Sequence, residues 1–531
     1  MRASPLRLAL FIGLLSIVEA ANTRAVESVR SDICVFGGTC AGVVAAVEAA
    51  RSGKTVVLTE FGGHLGGMTS GGLSQTDIGN KAAIGGIARE FYQRMGHHYG
   101  ANEVWKFEPH VAEQVFNDMI HEAGVTVYLH ARLASVEKTN GRVTEIRMED
   151  GRVFRAKMYI DASYEGDLMA RAGVSYFVGR EPNSTYNETL DGIRAATPKH
   201  QFTVPVDPYV HPGDPASSLL PCIQSESLGT PGGGDKSVQA YNFRLCLTRI
   251  RTNWLAIDPP ANYDAGQYEL LGRYIEALAA SGKKLSLSQF MNIQPMPNGK
   301  TDINNNGGFS TDFIGQNYGY PEGSYAERAR IWKTHEDYTR GLLHFLATDP
   351  RVPQPMRAEM QSWGLCKDEF ADTGGWPSQL YIREARRMIS EYVMTENNCR
   401  YSLKMPDAIG LAAYTMDSHN CRRIVRNGRV ENEGDVQVGG FPPYQISYRA
   451  LRPREGECEN LLVPVCLSAS HIAYGSIRME PVFMVLGQSS ATAACLAIEK
   501  NVPVQKIDYE ELRRRLLAAG QILKWEPGTG H

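Results

Sequence analysis

The sequence predicts an α/β fold, and three stretches carry this prediction. Residues 31–60 read as a strand, a glycine turn, a helix of small residues and a second strand. Residues 125–157 read as antiparallel strands, because NG and DG pairs separate their alternating segments. Residues 155–173 read as an apolar strand that turns into another helix of small residues. This order predicts a parallel sheet with an inserted hairpin.

The first stretch is typical of a dinucleotide site. The strand DICVF is followed by GGTCAG, from Gly37 to Gly42, and the strand TVVLT ends at Glu60. Glycines let the backbone turn sharply and approach a pyrophosphate, whose charge then lies at a helix N-terminus. An acid about 20 residues further on accepts the ribose hydroxyls. The stretch therefore predicts a cofactor that contains ADP.

This glycine pattern departs from the usual one at Thr39 and is extended after Glu60. Thr39 stands where the middle glycine normally admits the phosphate. Either its hydroxyl donates to a phosphate oxygen or the turn is slightly wider, and the sequence leaves both alternatives open. Residues 61–73 hold six glycines in thirteen residues. So many glycines predict a close approach of the backbone to a ligand.

Four segments together resemble one family. They are GGTCAG, HLGGMTSGG, IDASYEGDL and NLLVPVCLSASHIAYGSIRMEPVFMVLGQSSATAACLAIEK. The chain resembles, from Asp32 to Lys500, the FAD-dependent oxidoreductases of the glutathione-reductase-like superfamily, in the heterodisulfide reductase A-like and xanthan lyase-like branch. The resemblance implies an α/β FAD/NAD(P)-binding Rossmann-like fold of the glutathione-reductase type, three-layer ββα, with an inserted α+β substrate or cap region. Members often read GDGD where this chain has SYEGD at 163–167.

The resemblance also implies FAD as the cofactor and assigns residues to it. The glycine turn would lie on the pyrophosphate and Glu60 on the adenosine ribose. A helix N-terminus near Gly487 would aim amide groups at the pyrimidine edge of the flavin, where negative charge develops on reduction. The expected contacts are Gly37, Gly38, Thr39, Ala41, Gly42, Glu60, Gly66, Gly67, Met68, Leu133, Asp161, Ala162, Gly487 and Gln488.

Oxidation of a carbon that bears a hydroxyl or amine needs a base for the heteroatom proton, and histidine suits this task near neutral pH. His471 is the first candidate, because it lies between an apolar run and the expected flavin-edge helix. His419, in the loop of residues 417–419, is the second. Tyr474 and Arg478 are expected to orient the substrate, and Arg478 also to stabilise anionic reduced flavin.

Three arginines, Arg383, Arg386 and Arg387, fall on one predicted helix. They either bind an anionic or polyhydroxyl substrate, or they are solvated or pair with acids such as Glu384 and Glu391. The second alternative is favoured, because arginines on a helix are more often solvated or paired with acids.

The chain divides into five expected parts: a signal peptide at 1–20, the first part of the FAD domain at 31–171, a substrate or cap region at 172–370, a return to the FAD domain at 371–505, and a C-terminal helix and tail at 506–531. The cap region is rich in Pro, Gly, Asn and Tyr and is predicted to build on a mixed sheet. No second nucleotide unit is evident in the sequence. Electrons are therefore expected to pass directly between a small or saccharide-like substrate and FAD, with the electron acceptor left open.

The N-terminus predicts export. Arg2 and Arg7 precede the apolar run LALFIGLLSIV, and residues 18–20 form a plausible cleavage site, as in a secretory signal peptide. An uncleaved membrane anchor is the alternative, although the run is short for a span of about 20 residues. No other segment reads as transmembrane, so no stable span is expected after cleavage.

Composition excludes several classes of function. The 531 residues carry a net charge of -3, which offers no electrostatic footprint for nucleic acid. The ten cysteines permit disulfides without revealing a connectivity, and the absence of CxxC argues against iron–sulfur clusters and a disulfide-exchange centre. Cys34 and Cys40 are interpreted as packing residues. No metal site is expected, since the adjacent His97 and His98 would point to different sides of a helix.

Three functions compete at this point. The leading one is an exported FAD-dependent oxidoreductase acting on a small or saccharide-like molecule. The second is a non-redox polysaccharide lyase or carbohydrate-binding protein that retains the flavoprotein fold. The third is an electron-transfer subunit like heterodisulfide reductase A, against which the missing cluster cysteines count.

Overall fold

The structure is a computed structural model that describes residues 28–401 and 403–526. The expected signal peptide, residues 1–20, lies outside the described residues. The helices are α1 Cys40–Arg51, α2 Met68–Gly71, α3 Gly86–His98, α4 Pro109–Glu122, α5 Asp167–Arg171, α6 Asn183–Tyr186, α7 Glu269–Ala280, α8 Tyr325–Thr348, α9 Gln354–Ser362, α10 Glu396–Tyr401, α11 His471–Ile477, α12 Glu480–Lys500 and α13 Tyr509–Ala518. The strands are β1 Ser28–Phe36, β2 Val56–Thr59, β3 Thr126–Tyr128, β4 Leu133–Thr139, β5 Arg142–Met148, β6 Val153–Asp161, β7 Tyr176–Phe177, β8 Leu247–Thr248, β9 Trp254–Leu255, β10 Met291–Pro295, β11 Thr301–Asn305, β12 Gly364–Cys366, β13 Arg387–Met388, β14 Ala408–Ala412, β15 Met416–Ser418, β16 Arg422–Arg426, β17 Arg429–Glu433, β18 Val436–Val438, β19 Tyr444–Ser447 and β20 Leu461–Leu462.

The main sheet has the strand order β3-β2-β1-β6-β5-β4, and β20 also pairs with β6. β1 runs parallel to β2 and β6, and β2 runs parallel to β3. β4 and β5 form an antiparallel hairpin, and β5 pairs antiparallel with the start of β6. The prediction of a parallel sheet with an inserted hairpin is confirmed. Only Leu461–Leu462 of the late apolar run joins this sheet as a strand, and it pairs in parallel beside the last residues of β6.

Two helices of small residues pack in direct contact on this sheet. α1 is buried from Cys40 to Ala49, and α12 is buried from Glu480 to Ala497. A Cβ at Gly487 would overlap the carbonyl oxygen of Ala41, so the two backbones touch. Among the described helices, α12 is long and apolar enough to cross a membrane, but 94% of its apolar window is buried inside the protein. This burial is that of a core helix.

The inserted region is helical and carries short antiparallel sheets. The predicted helical patterns form α7 and α8, and β10 pairs with β11 as a hairpin. β12 lies between β8 and β9 and is antiparallel to both. The expectation of a mixed sheet between residues 172 and 370 is therefore wrong. Within this region, only β10 and β11 pair as a local hairpin, and β12 pairs antiparallel with strands that lie more than 100 residues earlier in the chain.

The predicted helix over Arg383–Arg387 is wrong, because this segment runs extended and ends in β13, which pairs with β7. All three arginines are buried and bind acids in place of solvent. The ion pairs are Arg383 with Asp312 at 2.9 Å, Arg386 with Asp167 at 2.7 Å, and Arg387 with Glu384 at 2.9 Å. The favoured interpretation, pairing with acids such as Glu384, is confirmed for Arg387.

Candidate active site

A first cavity of about 290 Å³ lies at the carboxyl ends of the parallel strands. Gly37 follows β1, Glu60 follows β2 and Ser163 follows β6, and all three line this cavity. Ligands of open α/β sheets bind at this end of the strands. The opposite wall is one face of α8, formed by Tyr325, Arg328 and Trp332.

The turn GGTCAG is held by close backbone contacts. Gly37 has a φ of +101°, and a Cβ there would lie 2.5 Å from the amide nitrogen of Ser163. A Cβ at Gly42 would overlap the carbonyl oxygen of Gly37. The turn therefore needs glycine at both positions. It presents bare backbone beside the N-terminus of α1, which is the arrangement that admits a pyrophosphate.

The hydroxyl of Thr39 is bonded within the protein. It donates to the carbonyl oxygen of Ala162 at 2.7 Å and accepts from the amide of Gly42 at 3.3 Å as the N-cap of α1. Thr39 therefore helps to fix the turn at the start of this helix.

Glu60 faces the first cavity and also fixes the backbone around it. Its carboxylate accepts from the amides of Gly38 at 2.6 Å and Gly62 at 2.7 Å. Burial raises the pKa of Glu60 to about 7, although these amide donors oppose the rise. A carboxylate offers about four lone-pair sites. Sites therefore remain for the hydroxyls of a ribose.

Tyr164, in the segment SYEGD, links residues 61–73 to the start of α12. Its phenol accepts from the amide of Met68 at 2.8 Å and donates to Glu480 at 2.9 Å. Thr69 donates through its hydroxyl to the same carboxylate at 2.6 Å.

Asp167 ties the two walls of the first cavity together. Arg328 of α8 donates to it at 2.5 and 2.8 Å, and Arg386 donates at 2.7 Å. Burial opposes ionisation of Asp167, but the two arginines outweigh it and lower its pKa. Asp161 lies behind the wall instead, where it accepts from the Ser163 hydroxyl at 2.6 Å and from the Met169 amide at 2.8 Å.

The predicted cofactor residues fall into two groups. Gly37, Glu60 and Gly67 line the first cavity, and Thr39 lines a small extension of it. A second group is buried behind this lining: Gly38, Ala41, Gly42, Gly66, Met68, Leu133, Asp161 and Ala162. Leu133 still contributes indirectly, because its amide donates to the Tyr325 hydroxyl at 2.9 Å.

The structure corrects the prediction for Gly487 and Gln488. α12 begins at Glu480, so its N-terminus does not lie near Gly487. Pro481 in the first turn is the sequence signal of this earlier start. Gly487 packs on α1, while Gln488 donates to Glu48 at 3.1 Å and accepts from the Ile87 amide at 2.9 Å. Neither is among the described residues that line the first cavity.

A second cavity, of about 420 Å³, is strongly polar. Its lining comes from distant parts of the chain, including the hairpin β10–β11 and strand β15. The lining residues that matter most for chemistry are Asp77, Arg244, Asn304, Tyr381, Asp417 and His419. Such a lining suits a small ligand with many hydrogen-bonding groups.

The two cavities are neighbours, and the glycines that end and follow α2 touch a lining residue of each. A Cβ at Gly71 would overlap the side chain of Gln379, which lines the first cavity. A Cβ at Gly72 would lie 2.6 Å from the carbonyl oxygen of Arg244, which lines the second cavity. The segment that contains Gln379 also reaches Tyr381 in the second cavity. The glycine-rich stretch predicted to approach a ligand thus lies where the two cavities come close to each other.

His419 lies in the second cavity within a cluster of charges. Its Nδ1 donates to Asp312 at 2.8 Å, and its Nε2 lies 3.5 Å from a carboxylate oxygen of Asp417. Burial and the nearby Arg383 disfavour the charged ring, but Asp312 and Asp417 outweigh them and raise the pKa of His419. The cluster fixes the ring and leaves Nε2 as the nitrogen at the cavity.

Arg244 and Asp77 present a donor and an acceptor side by side. Arg244 donates to Asp302 at 2.7 and 2.8 Å through Nε and Nη2, which fixes the guanidinium. Its Nη1 has no hydrogen-bond partner among the described residues and lies 3.9 Å from Asp77. That distance is too long for a hydrogen bond between them.

His471, the first candidate base, is bonded at both ring nitrogens. Its Nδ1 donates to Glu384 at 2.8 Å, and its Nε2 lies 2.9 Å from the Ser418 hydroxyl. Only 2% of the residue is exposed, and it is absent from the described residues that line either cavity. These contacts make His471 a structural residue that holds α11 against β15.

Arg478 and Tyr474 are also buried, in and beside α11. Arg478 donates to the Tyr381 hydroxyl at 2.8 Å and to Asp417 at 3.0 Å. It therefore stands behind two residues of the second cavity and positions them. Tyr474 packs near Phe483 of α12, with ring centroids 6.3 Å apart.

A cluster of Glu108, His110 and Glu369 has ligand atoms close enough to hold a metal ion. Lys300 lies among them, with its ammonium 2.7 Å from Glu108 and 2.7 Å from Glu369. The lysine supplies the positive charge that these carboxylates require.

The wall formed by α8 and most of the second cavity were not predicted from the sequence. Tyr325, Arg328 and Trp332 recur at helical spacing, so a polar and aromatic face of α8 was visible as a pattern. Nothing in the local sequence links Arg244 to Asp77, because tertiary packing alone brings them together.

The chain matches a family model described as FAD dependent oxidoreductase over residues 32–516. A search of curated proteins found no match. Two flavoprotein structures resemble parts of the chain. Thioredoxin reductase from T. acidophilum is 22% identical over 25% of this chain and 34% of its own, with a TM-score of 0.17. A flavoprotein/dehydrogenase from Cytophaga hutchinsonii is 19% identical over 28% of this chain and 44% of its own, with a TM-score of 0.21. A 3-ketosteroid-delta4-(5alpha)-dehydrogenase from Rhodococcus jostii RHA1 is similar over 29% of this chain and 50% of its own length (16% identity, TM-score 0.20). The chain thus spans half or less of each of these structures.

The first cavity fits the nucleotide part of FAD. Gly37 supplies a cradle that a Cβ would fill, and Glu60 supplies an acceptor at the end of β2. The family model covers most of the chain and agrees with the α/β Rossmann-like sheet. The chain belongs to the FAD-dependent oxidoreductase family, and it is an enzyme of that class with FAD as its cofactor.

Proposed function

We propose that this enzyme oxidises a small polyhydroxyl or saccharide-like molecule in the second cavity, with FAD held in the first. Gly37 and Glu60 would hold the nucleotide part of FAD, and the bound flavin would supply the hydride acceptor for this oxidation. The proposal rests on two adjacent cavities of different character, a backbone-lined one and a strongly polar one.

The unpaired Arg244 Nη1 beside Asp77 is the observation that carries the substrate class. A donor and an acceptor 3.9 Å apart suit a single hydroxyl group, which accepts from the arginine and donates to the carboxylate. The amide side chain of Asn304 and the phenol of Tyr381 add further partners for hydroxyls. An apolar substrate would leave the buried Arg244 Nη1 without a partner, at a cost of about 1–3 kcal/mol.

His419 is the proposed base, in preference to His471. The carboxylate of Asp312 holds Nδ1–H and thereby presents Nε2 to the cavity. When the ring is neutral, Nε2 takes the proton of a substrate hydroxyl while a hydride leaves the carbon that bears this hydroxyl. Arg478 has a positioning role, because it holds Tyr381 and Asp417 beside this histidine.

Two further statements belong to the same proposal. We propose that the protein is exported, on the strength of the arginines and apolar run at 2–18. We also place it in the heterodisulfide reductase A-like and xanthan lyase-like branch, on the strength of the four motifs. The electron acceptor is a separate partner that these residues leave open.

The test is anaerobic reduction of the bound flavin by a panel of sugars, polyols, hydroxy acids and amines. We expect a polyhydroxyl compound to bleach the visible absorbance of the flavin. In the Asp77→Asn variant, the concentration of that compound for half-maximal bleaching should rise about tenfold. The exposed Asp214→Asn is the matched control and should leave it unchanged. Bleaching only by compounds without hydroxyl groups, or an unchanged Asp77→Asn variant, would contradict the proposal.

A further inference from the structure

We propose that Cys246 and Cys366 are the partners of a disulfide bond that closes the inserted region in the oxidised protein. Their sulfur atoms lie 3.7 Å apart as thiols. Neither the substrate nor the flavin enters this proposal.

The strand register places these two cysteines opposite each other. β8 and β12 are antiparallel, with Leu247 opposite Leu365 and Thr248 opposite Gly364. One step further along both strands, Cys246 faces Cys366. Opposed residues of antiparallel strands have Cα atoms about 4.5 or 5.5 Å apart. Both values lie within the range of about 4.4–6.8 Å that a disulfide spans, so the backbone needs no rearrangement.

The environment favours a structural bond over a reactive one. Both cysteines are at most 1% exposed, and they form a small apolar cluster with Phe370. The hydrogen bond with Cys366, together with burial, raises the pKa of Cys246. A thiol in such a site stays protonated and inert once the protein has folded. The bond therefore forms during folding, before the strands close over the two sulfurs.

The chemistry is thiol–disulfide exchange with an external disulfide, either a small molecule or a protein oxidant. The thiolate of one cysteine attacks this disulfide and displaces one thiol. The second cysteine then displaces the other thiol, which joins the two sulfurs. The two cysteines lose two protons and two electrons, and the external disulfide gains them as two thiols. Such oxidants act in the exported compartments.

The loop closed by this bond carries parts of both cavities. The two cysteines are 120 positions apart, and α8 and the hairpin β10–β11 lie between them. α8 contributes Trp332 to the first cavity, and the hairpin contributes Asn304 to the second. The bond would hold together the two ends of residues 246–366, the segment that contributes to both cavities.

The first test is peptide mapping of the full-length chain, secreted and purified without reductant. The protein is denatured in iodoacetamide without prior reduction, then digested and analysed by mass spectrometry. We expect the peptides of Cys246 and Cys366 to be joined, and to separate only after reduction. Full alkylation of both cysteines, even after the unfolded chain is refolded with glutathione disulfide, would overturn the proposal.

The second test compares thermal unfolding with and without reductant. Reduction should lower the apparent unfolding temperature of the wild type by roughly 5 °C, because it releases a long loop. Cys246→Ala should show no such difference between the two conditions, whereas Cys495→Ala, which changes another buried cysteine, should retain it. Equal reductant shifts in both variants would argue against the bond. If Cys246→Ala fails to fold, the peptide mapping of the wild type still decides the question.

Discussion

The two cavities differ in what shapes them. Backbone at the ends of the parallel strands shapes one side of the first cavity, where Gly37 and Gly67 leave room beside the carboxylate of Glu60. The second is shaped by side chains such as Arg244 and His419, which come from separate segments and are fixed by acids behind them. The glycine side of the first cavity therefore depends on space, whereas the proposed substrate binding in the second depends on fixed charge.

The contrast predicts that a single methyl group destroys the first cavity. In Gly37→Ala, the new Cβ would lie 2.5 Å from the amide of Ser163, in a backbone conformation of φ +101°. We expect the variant to purify without FAD and to be inactive, which is the largest effect among these predictions. The measurement is the ratio of flavin to protein in the visible and ultraviolet spectrum.

Gly53→Ala is the matched control for this substitution. Gly53 also has a positive φ, of +75°, but a Cβ there meets nothing within 4 Å. Both variants therefore carry a similar backbone penalty of about 1–2 kcal/mol, and only Gly37→Ala adds a collision. Normal FAD content in Gly37→Ala would show that the turn is not the site that admits the pyrophosphate.

The second cavity should respond to loss of charge and hydrogen bonding with its flavin content intact. We expect His419→Gln to slow flavin reduction by about 100-fold, because it removes the proposed base. The flavin spectrum of this variant should match that of the wild type. Rapid-mixing measurements of flavin bleaching without oxygen give the rate.

The pH profile separates a base from a residue that only packs. The acids Asp312 and Asp417 raise the pKa of His419, and the base must be neutral to take a proton. Flavin reduction in the wild type should therefore speed up as the pH rises through a value above the ordinary histidine pKa of about 6.5. His419→Gln should lose this rise. His471→Gln should keep it and instead lower the unfolding temperature, since His471 bonds Glu384 and Ser418.

The same contrast explains how much the sequence could predict. Gly37 and Glu60 were predicted because a glycine turn and an acid close a unit of about 30 residues, whose geometry is local. Gly487 was misassigned because a helix of small residues has the same pattern whether it faces a cofactor or another helix. His471 was preferred over His419 because it lies between an apolar run and the expected flavin-edge helix. Its partners Glu384 and Ser418 are distant in the sequence, so no local pattern reports that both of its ring nitrogens are bonded.

The smallest expected effect concerns Glu60, the acid that follows β2 in the first cavity. Burial raises the pKa of Glu60 to about 7, so its carboxylate loses its charge near neutral pH. The ionised form accepts ribose hydroxyls, whereas the protonated form has fewer sites for them. The dissociation constant of FAD should therefore rise about tenfold between about pH 8 and pH 6, as measured by quenching of FAD fluorescence on addition of apoprotein.

The stability of the apoprotein should move in the opposite direction with pH. The pKa of Glu60 is higher in the folded chain than its ordinary value of 4.5, so the folded state holds this proton more tightly than the unfolded state. Its contribution to stability is present at low pH and is lost as the pH rises to about 7. Glu60→Gln should remove this pH dependence from both profiles. One profile is the affinity for FAD, and the other is the stability of the apoprotein. A parallel change of the two profiles would mean that Glu60 supports the turn without touching the ribose.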